Sequence, residues 1–269
     1  MMGNRSKRHM RGDPGGLSFR VLFATLSGVA PAIGSTAAFA YRPFVGTDAA
    51  VADVNEVEIE LQPAGTLRQD SQTSLIAPDV VFNYGFAKNW EFVFEGLGQV
   101  PLGSSDENPS VAGVGAFLKY VVREGSLQDA KGPSIAVEFG PLLPGIHADE
   151  GFGVSVDTII SQRWDWGTIS ANFATALTRD HHTDVFLGAI VEGPFNWKVR
   201  PVMEVFYEEE IGQATTISGL VGAIWQVNDK LSFDIGYRHA LVNSHPVDEI
   251  RAGLTFGFDV PTSNGSKAK

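Results

Sequence analysis

The feature that most constrains this chain is an alternation of apolar and polar residues in runs of about ten, each closed by a few turn-forming residues. The clearest copy follows Asn228-Asp229-Lys230 and reads Leu231-Ser232-Phe233-Asp234-Ile235-Gly236-Tyr237-Arg238. In an extended strand, Leu231, Phe233, Ile235 and Tyr237 share one face, and Ser232, Asp234, Gly236 and Arg238 share the other. That pattern suits a strand with lipid on one side and water or polar side chains on the other, although one copy suits a soluble sheet equally well. Repetition along most of the chain, behind an export signal, points to an all-β fold: a transmembrane antiparallel up-and-down β-barrel.

Arg5, Lys7, Arg8, Arg11 and Arg20 make a basic N-terminal region. The apolar stretch that begins at Val21 leads to Ala38-Phe39-Ala40, a small-residue cleavage site. Residues 1–40 are therefore expected to be a signal peptide cleaved before Tyr41. Gly28, Pro31 and Gly34 interrupt the segment as a membrane-spanning helix. Its removal takes five of the 20 basic and one of the 31 acidic residues, leaving 15 against 30. So acidic a chain offers no footprint for nucleic acid. It has no cysteine, which excludes disulfides, thiolate metal sites and a cysteine nucleophile. No run of about 20 apolar residues follows residue 40, so a membrane can be crossed only by a closed barrel, in which the strands satisfy one another's backbone groups.

Twelve strands are predicted, at 56–62, 75–86, 90–99, 111–123, 134–143, 153–163, 168–177, 184–191, 197–208, 216–227, 231–241 and 249–259. The even number is that of single-chain bacterial barrels. Residues 41–55 are expected to form an N-terminal periplasmic segment, 56–260 the barrel and 261–269 a disordered C-terminal tail. The links alternate in kind. Those at 87–89, 165–166, 193–196 and 228–230 are tight, as periplasmic turns are. Those at 103–109, 145–150, 179–183, 209–214 and 243–248 are longer, acidic and several carry histidine, as extracellular loops do. The link at 124–132 is long where a tight turn is expected. In the strand from 197 to 208, Trp197 and Tyr207 stand at opposite ends of the outward face, where interfacial aromatic girdles belong.

Two stretches carry a family likeness. One is Arg42-Pro43-Phe44-Val45-Gly46-Thr47-Asp48, with Asp53 and Glu56-Val57-Glu58-Ile59-Glu60. The other is the pair of hairpin strands Asn83-Tyr84-Gly85-Phe86…Trp90-Glu91-Phe92 and Leu231–Arg238. On these the chain resembles the bacterial outer-membrane β-barrel family of transporters grouped with the MetA pathway of phenol degradation. The resemblance covers most of the mature chain through loose barrel patterns. It implies an outer-membrane channel for small solutes, aromatic or other hydrophobic compounds among them, and transfers no binding residue. Barrels of this kind usually end on an aromatic residue, whereas here Phe256 and Phe258 are followed by Asp259-Val260 and a polar tail.

On the inward phase, the candidate pore-lining residues are Glu91, Glu95, Lys119, Glu138, Asp157, Lys198, Arg200, Glu204, Asp234, Arg238 and Arg251. Arg123, Asp259 and the acids Glu56, Glu58 and Glu60 share that phase. Both signs are present, so the lumen reads either as a passage with opposed acidic and basic walls or as a packed salt-bridge network without conduction. The first strand's three acids are expected to meet Arg251 across the closing seam. His147, His181, His182 and His245 lie near carboxylates in the loops, but at no spacing that makes a metal site, and no cofactor is expected. A hydrolase site built from Ser244, His245, Asp248 and His239 is the weaker alternative, since no nucleophile elbow is present. The expected surroundings are outer-membrane lipid and lipopolysaccharide, the barrel-assembly machinery and a small-molecule solute.

Overall fold

A computed structural model describes residues 42–103 and 108–261; the expected signal peptide and nearly all of the expected tail lie outside them. The strands are β1 Glu56–Gln62, β2 Gly65–Gln69, β3 Gln72–Ala87, β4 Trp90–Leu102, β5 Ser110–Arg123, β6 Ser134–Leu142 and β7 Gly153–Trp164. They continue as β8 Gly167–Leu177, β9 Thr183–Glu192, β10 Val199–Glu210, β11 Ala214–Asn228, β12 Leu231–Val242 and β13 His245–Asp259. Each pairs antiparallel with its neighbours. β1 runs against β13 from Glu56↔Asp259 to Leu61↔Leu254 and against β3 from Val57↔Tyr84 to Gln62↔Asp79. β2 continues along the same two partners. β1 and β2 are thus two halves of one stave, and the sheet closes as a barrel of twelve.

The break in the first stave falls at Pro63-Ala64, opposite Ala77-Pro78, where the β3–β4 register also shifts. Neither proline has an N–H to donate, so the ladder is interrupted on both strands at one level. Sequence periodicity misses β2 for this reason: beyond the proline only five residues remain to carry it. The other predicted strands stand within four residues of their observed bounds at each end. The links at 209–214 and 243–248 are shorter than expected, because the strands run on into them. β12 and β13 are joined by Asn243 and Ser244 alone, both with positive φ (48° and 69°), the backbone a two-residue type I′ hairpin requires.

The link from Glu124 to Pro133 has a structural reason for its length. It holds a 3-10 turn, Ser126–Gln128, and Gln128 Nε2 donates to the carbonyl of Ala49, inside the barrel (2.9 Å). At its start, Glu124 accepts hydrogen bonds from Lys88 and Asn89, which hold its carboxyl below the ordinary glutamate range.

The outer face follows the predicted phase. On β10, Val199, Pro201, Met203, Val205 and Tyr207 are exposed while Val202, Glu204, Phe206 and Glu208 are buried. On β12, Phe233, Ile235 and Tyr237 are exposed. All five tryptophans, Trp90, Trp164, Trp166, Trp197 and Trp225, stand at the end where β1 begins. There Trp90 stacks on Tyr120 (4.4 Å) and Trp164 on Trp166 (5.3 Å). Towards the opposite end Tyr207 points its hydroxyl at Glu209, and Tyr237, midway along β12, points its own at Asp248. An apolar belt bounded at one end by an aromatic rim suits the outer surface of a membrane-spanning barrel.

Candidate functional site

The inward face is more mixed than simple alternation implies. Carboxylates and bases alternate along the strands with Phe117, Phe186, Ile190, Phe206 and Leu220, all buried. The reason lies in residues 42–52. They are not an external periplasmic segment, as expected; they run through the lumen, and residues 42–49 are all buried.

The segment is anchored at intervals around the wall. Ala52 N–H donates to Glu91 of β4 (2.6 Å) and Ala49 N–H to Ser161 of β7 (2.9 Å). Asn172 of β8 clamps Thr47, accepting its N–H (2.6 Å) and donating to its carbonyl (2.7 Å). Glu204 of β10 accepts the N–H groups of Val45 (3.0 Å) and Gly46 (2.7 Å). Arg251 of β13 donates to the carbonyls of Pro43 and Phe44 (both 3.0 Å). Arg42 then pairs with Asp234 of β12 (3.1 Å), reaches Gln62 and Asp79, and offers its own N–H to Glu60 (2.9 Å). Between these polar anchors, Phe44 packs with Ile190, Val202, Leu220 and Ile224, and Val45 with Ala174, Phe186 and Phe206. Backbone outside any helix or sheet has unpaired N–H and C=O groups, so burying it inside a barrel requires polar partners at this density.

Two wall glycines make room for the segment. A Cβ on Gly85 would overlap the carbonyls of Ala52 and Asp53, and a Cβ on Gly253 would overlap the Arg42 guanidinium. Replacing Gly85 with valine should therefore expel the chain around Ala52. The expected result is new protease cleavage within residues 42–55 while the barrel keeps its faster migration on unboiled gels. Unchanged protease resistance would show that the wall accommodates the side chain without moving the segment.

Of the sequence-derived lining residues, Glu91, Glu95, Lys119, Glu138, Asp157, Glu204, Asp234 and Arg238 are buried on the inner face, and Arg200 and Arg251 are half-buried there. Lys198 is not among them: it is exposed in the turn before β10, because β10 starts two residues later than the alternation suggests. Arg123 and Asp259 are exposed as well, Asp259 paired with Lys230 (2.6 Å). The expected seam contact is also revised. Arg251 pairs with Glu249 (2.9 Å), and the first strand's Glu60 is held by Arg42 and Asn83. Arg238 shares Glu249 (2.8 Å), and Arg200 faces Glu192 (3.6 Å). Period two from Arg251 places Glu249 on the inner face, so that partner was legible.

The result is a lumen with two unlike walls. On β10, β12 and β13 every inward arginine is paired with an acid, Arg238 and Arg251 sharing Glu249. On β1 and β4–β7 carboxylates outnumber bases. Registers Glu91↔Lys119, Lys119↔Glu138 and Glu138↔Asp157 set four charged groups at one level across β4–β7. Between this wall and the segment lies a cavity of about 280 Å³, lined by Asp48, Glu58, Glu60, Glu91, Lys119 and Glu138 among others. A larger apolar groove, about 640 Å³, lies on the outer wall under Ile160, Phe173, Leu187, Val205 and Ile217, where it faces lipid.

The loop histidines do not converge. His182 faces Glu210 (3.4 Å), His245 faces Asp70 (3.4 Å), and His147 bonds the Pro109 carbonyl (3.1 Å). Asp248 is taken by His239 (2.8 Å) and Tyr237, so Ser244, His245 and Asp248 are not assembled as a triad. No cluster of three or more metal-ligating side chains occurs among the described residues.

Solved structures share this architecture. The KdgM porin superposes with a TM-score of 0.52 at 11% identity, over 76% of this chain and 99% of the porin. An outer membrane channel from Pseudomonas putida F1 gives 0.53 at 12%, over 78% and 97%. The NanC porin gives 0.52 at 8%, over 74% and 98%. The chain has the fold of these bacterial outer-membrane barrels. No protein-family model and no curated protein sequence matches it.

Proposed function

We propose that this protein is an outer-membrane channel for small solutes, held closed in the observed conformation by its own residues 42–52. The observation that carries the proposal is the lumen itself. Its charged side chains are enclosed by an apolar outer belt, and the segment that fills it is held by side-chain anchors rather than by sheet pairing. A barrel built only as a membrane fixture needs neither a removable strand of backbone nor a polar cavity beside it. The family likeness read from residues 42–60 and the hairpin strands adds aromatic and other hydrophobic compounds to the solutes to be tried. Among the barrels of like fold, the KdgM porin has been seen in complex with disordered oligogalacturonate.

Because acids outnumber bases on the unpaired wall, the open lumen favours cations. Reversal potentials across a salt gradient in a planar bilayer measure this preference. Glu95→Gln with Asp157→Asn, neither hydrogen-bonded to the segment, should reduce it; Arg200→Gln with Arg238→Gln should increase it, since lumen charges act on permeant ions at short range. Swelling of liposomes in polar and in aromatic solutes sorts the solute range. Correctly inserted barrels that pass neither ions nor solutes, with the segment removed, would leave a structural barrel.

A further inference from the structure

We propose that the cavity between residues 47–53 and the β1/β4–β6 wall is a binding site for a small organic cation carrying an ammonium or guanidinium group. This rests on the channel reading and assigns its first ligand class.

Among the described residues, seven carboxylates line the cavity and Lys119 is the one base with them. Lys119 is already committed: its ammonium donates to Thr47 Oγ1 of the lumen segment (3.1 Å) and stands in register between Glu91 and Glu138. Glu60 and Glu91 are partly satisfied by N–H donors from Arg42, Asn83 and Ala52. Glu138 is not. It is 3% exposed, it lines the cavity, and its Oε1 is buried without a hydrogen-bond partner. Glu95, four residues along β4 from Glu91 and 2% exposed, has both oxygens in the same condition.

A buried carboxylate oxygen without a donor is costly, and several in one wall repel each other, so a cation seated among them relieves both terms. The cavity's size decides which cation. Liquid water occupies about 30 Å³ per molecule, so 280 Å³ holds roughly nine, far more than a bare ion needs. It suits a molecule of several heavy atoms whose N–H groups reach Asp48 on one side and Glu58 and Glu138 on the other, with Val51 and Val93 beside its carbon chain. The exposed Asp53 at its rim marks the open side, towards the end where β1 begins.

Isothermal titration of the detergent-solubilised full mature chain with agmatine tests the site. Saturable binding should appear in the wild type, and Glu138→Gln should weaken it about tenfold or more, the loss expected for one charge-assisted hydrogen bond. Glu58→Gln, at a less enclosed position, should weaken it too, which guards against a Glu138 variant that fails to fold; unboiled gel migration checks both. Succinate should not bind. No saturable agmatine binding, equal affinity in wild type and folded variants, or binding of Mg²⁺ in place of agmatine would overturn the proposal. Conductance recorded on the same preparations keeps the two readings apart. A barrel that conducts but does not bind agmatine loses the site and keeps the channel; one that binds but never conducts does the reverse.

Discussion

Arg42→Ala combined with Glu204→Ala should turn a largely silent barrel into one that opens frequently. Glu204 holds two backbone N–H groups of the lumen segment, and Arg42 makes the buried ion pair with Asp234. Removing one member of a buried pair typically costs about 3–5 kcal/mol. Here most of that cost falls on the closed state, because in the open state water reaches the freed groups. A shift of that size lowers the closed-to-open ratio by roughly two to four orders of magnitude. Planar-bilayer recordings should show it as a rise in open probability. Deleting residues 42–52 gives the limiting case and should remove closures altogether. If the deletion conducts and the double variant does not, the anchors are misassigned; if neither conducts, the inward apolar clusters close the barrel by themselves.

The barrel was legible in the sequence because lipid imposes one rule on every strand. Residues such as Phe233, Ile235 and Tyr237 must be apolar at every second position, and that rule survives whatever the inner face does. The lumen segment obeys no such rule. Arg42 meets Asp234, Val45 meets Glu204 and Thr47 meets Asn172, partners more than a hundred residues away that no local period connects. Nothing in residues 42–48 distinguishes a stretch of backbone inside the barrel from one outside. The inner face was read as polar, and Phe186, Phe206 and Ile190 depart from that because they pack against Phe44 and Val45. Lys198 was misplaced by the same logic in reverse: alternation continues through the turn at residues 195–198 although the strand has not begun. Gln128, in the one link whose length broke the pattern, proved to contact the segment, so the exception carried information about the site.

The phase of β10 has a direct consequence in the membrane. Met203 and Val205 lie near the middle of the strand on the exposed face, and Val202, Glu204 and Phe206 alternate with them on the buried face. Arginine at Met203 or Val205 places a charge in the hydrocarbon, at a cost of roughly 2–4 kcal/mol near the bilayer midplane. Met203→Leu, which keeps the position apolar at similar volume, should cost less than about 1.5 kcal/mol. Denaturant unfolding from lipid vesicles should therefore show a lower midpoint for both arginine variants and almost none of that loss for Met203→Leu. Glu204→Arg is the informative comparison. Its charge faces the lumen, so it should spare insertion and instead release the N-terminal segment, appearing as conductance rather than as instability. Equal destabilisation at 203, 204 and 205 would mean that the lipid does not contact this strand from one side only, and the barrel's outer surface would have to be drawn elsewhere.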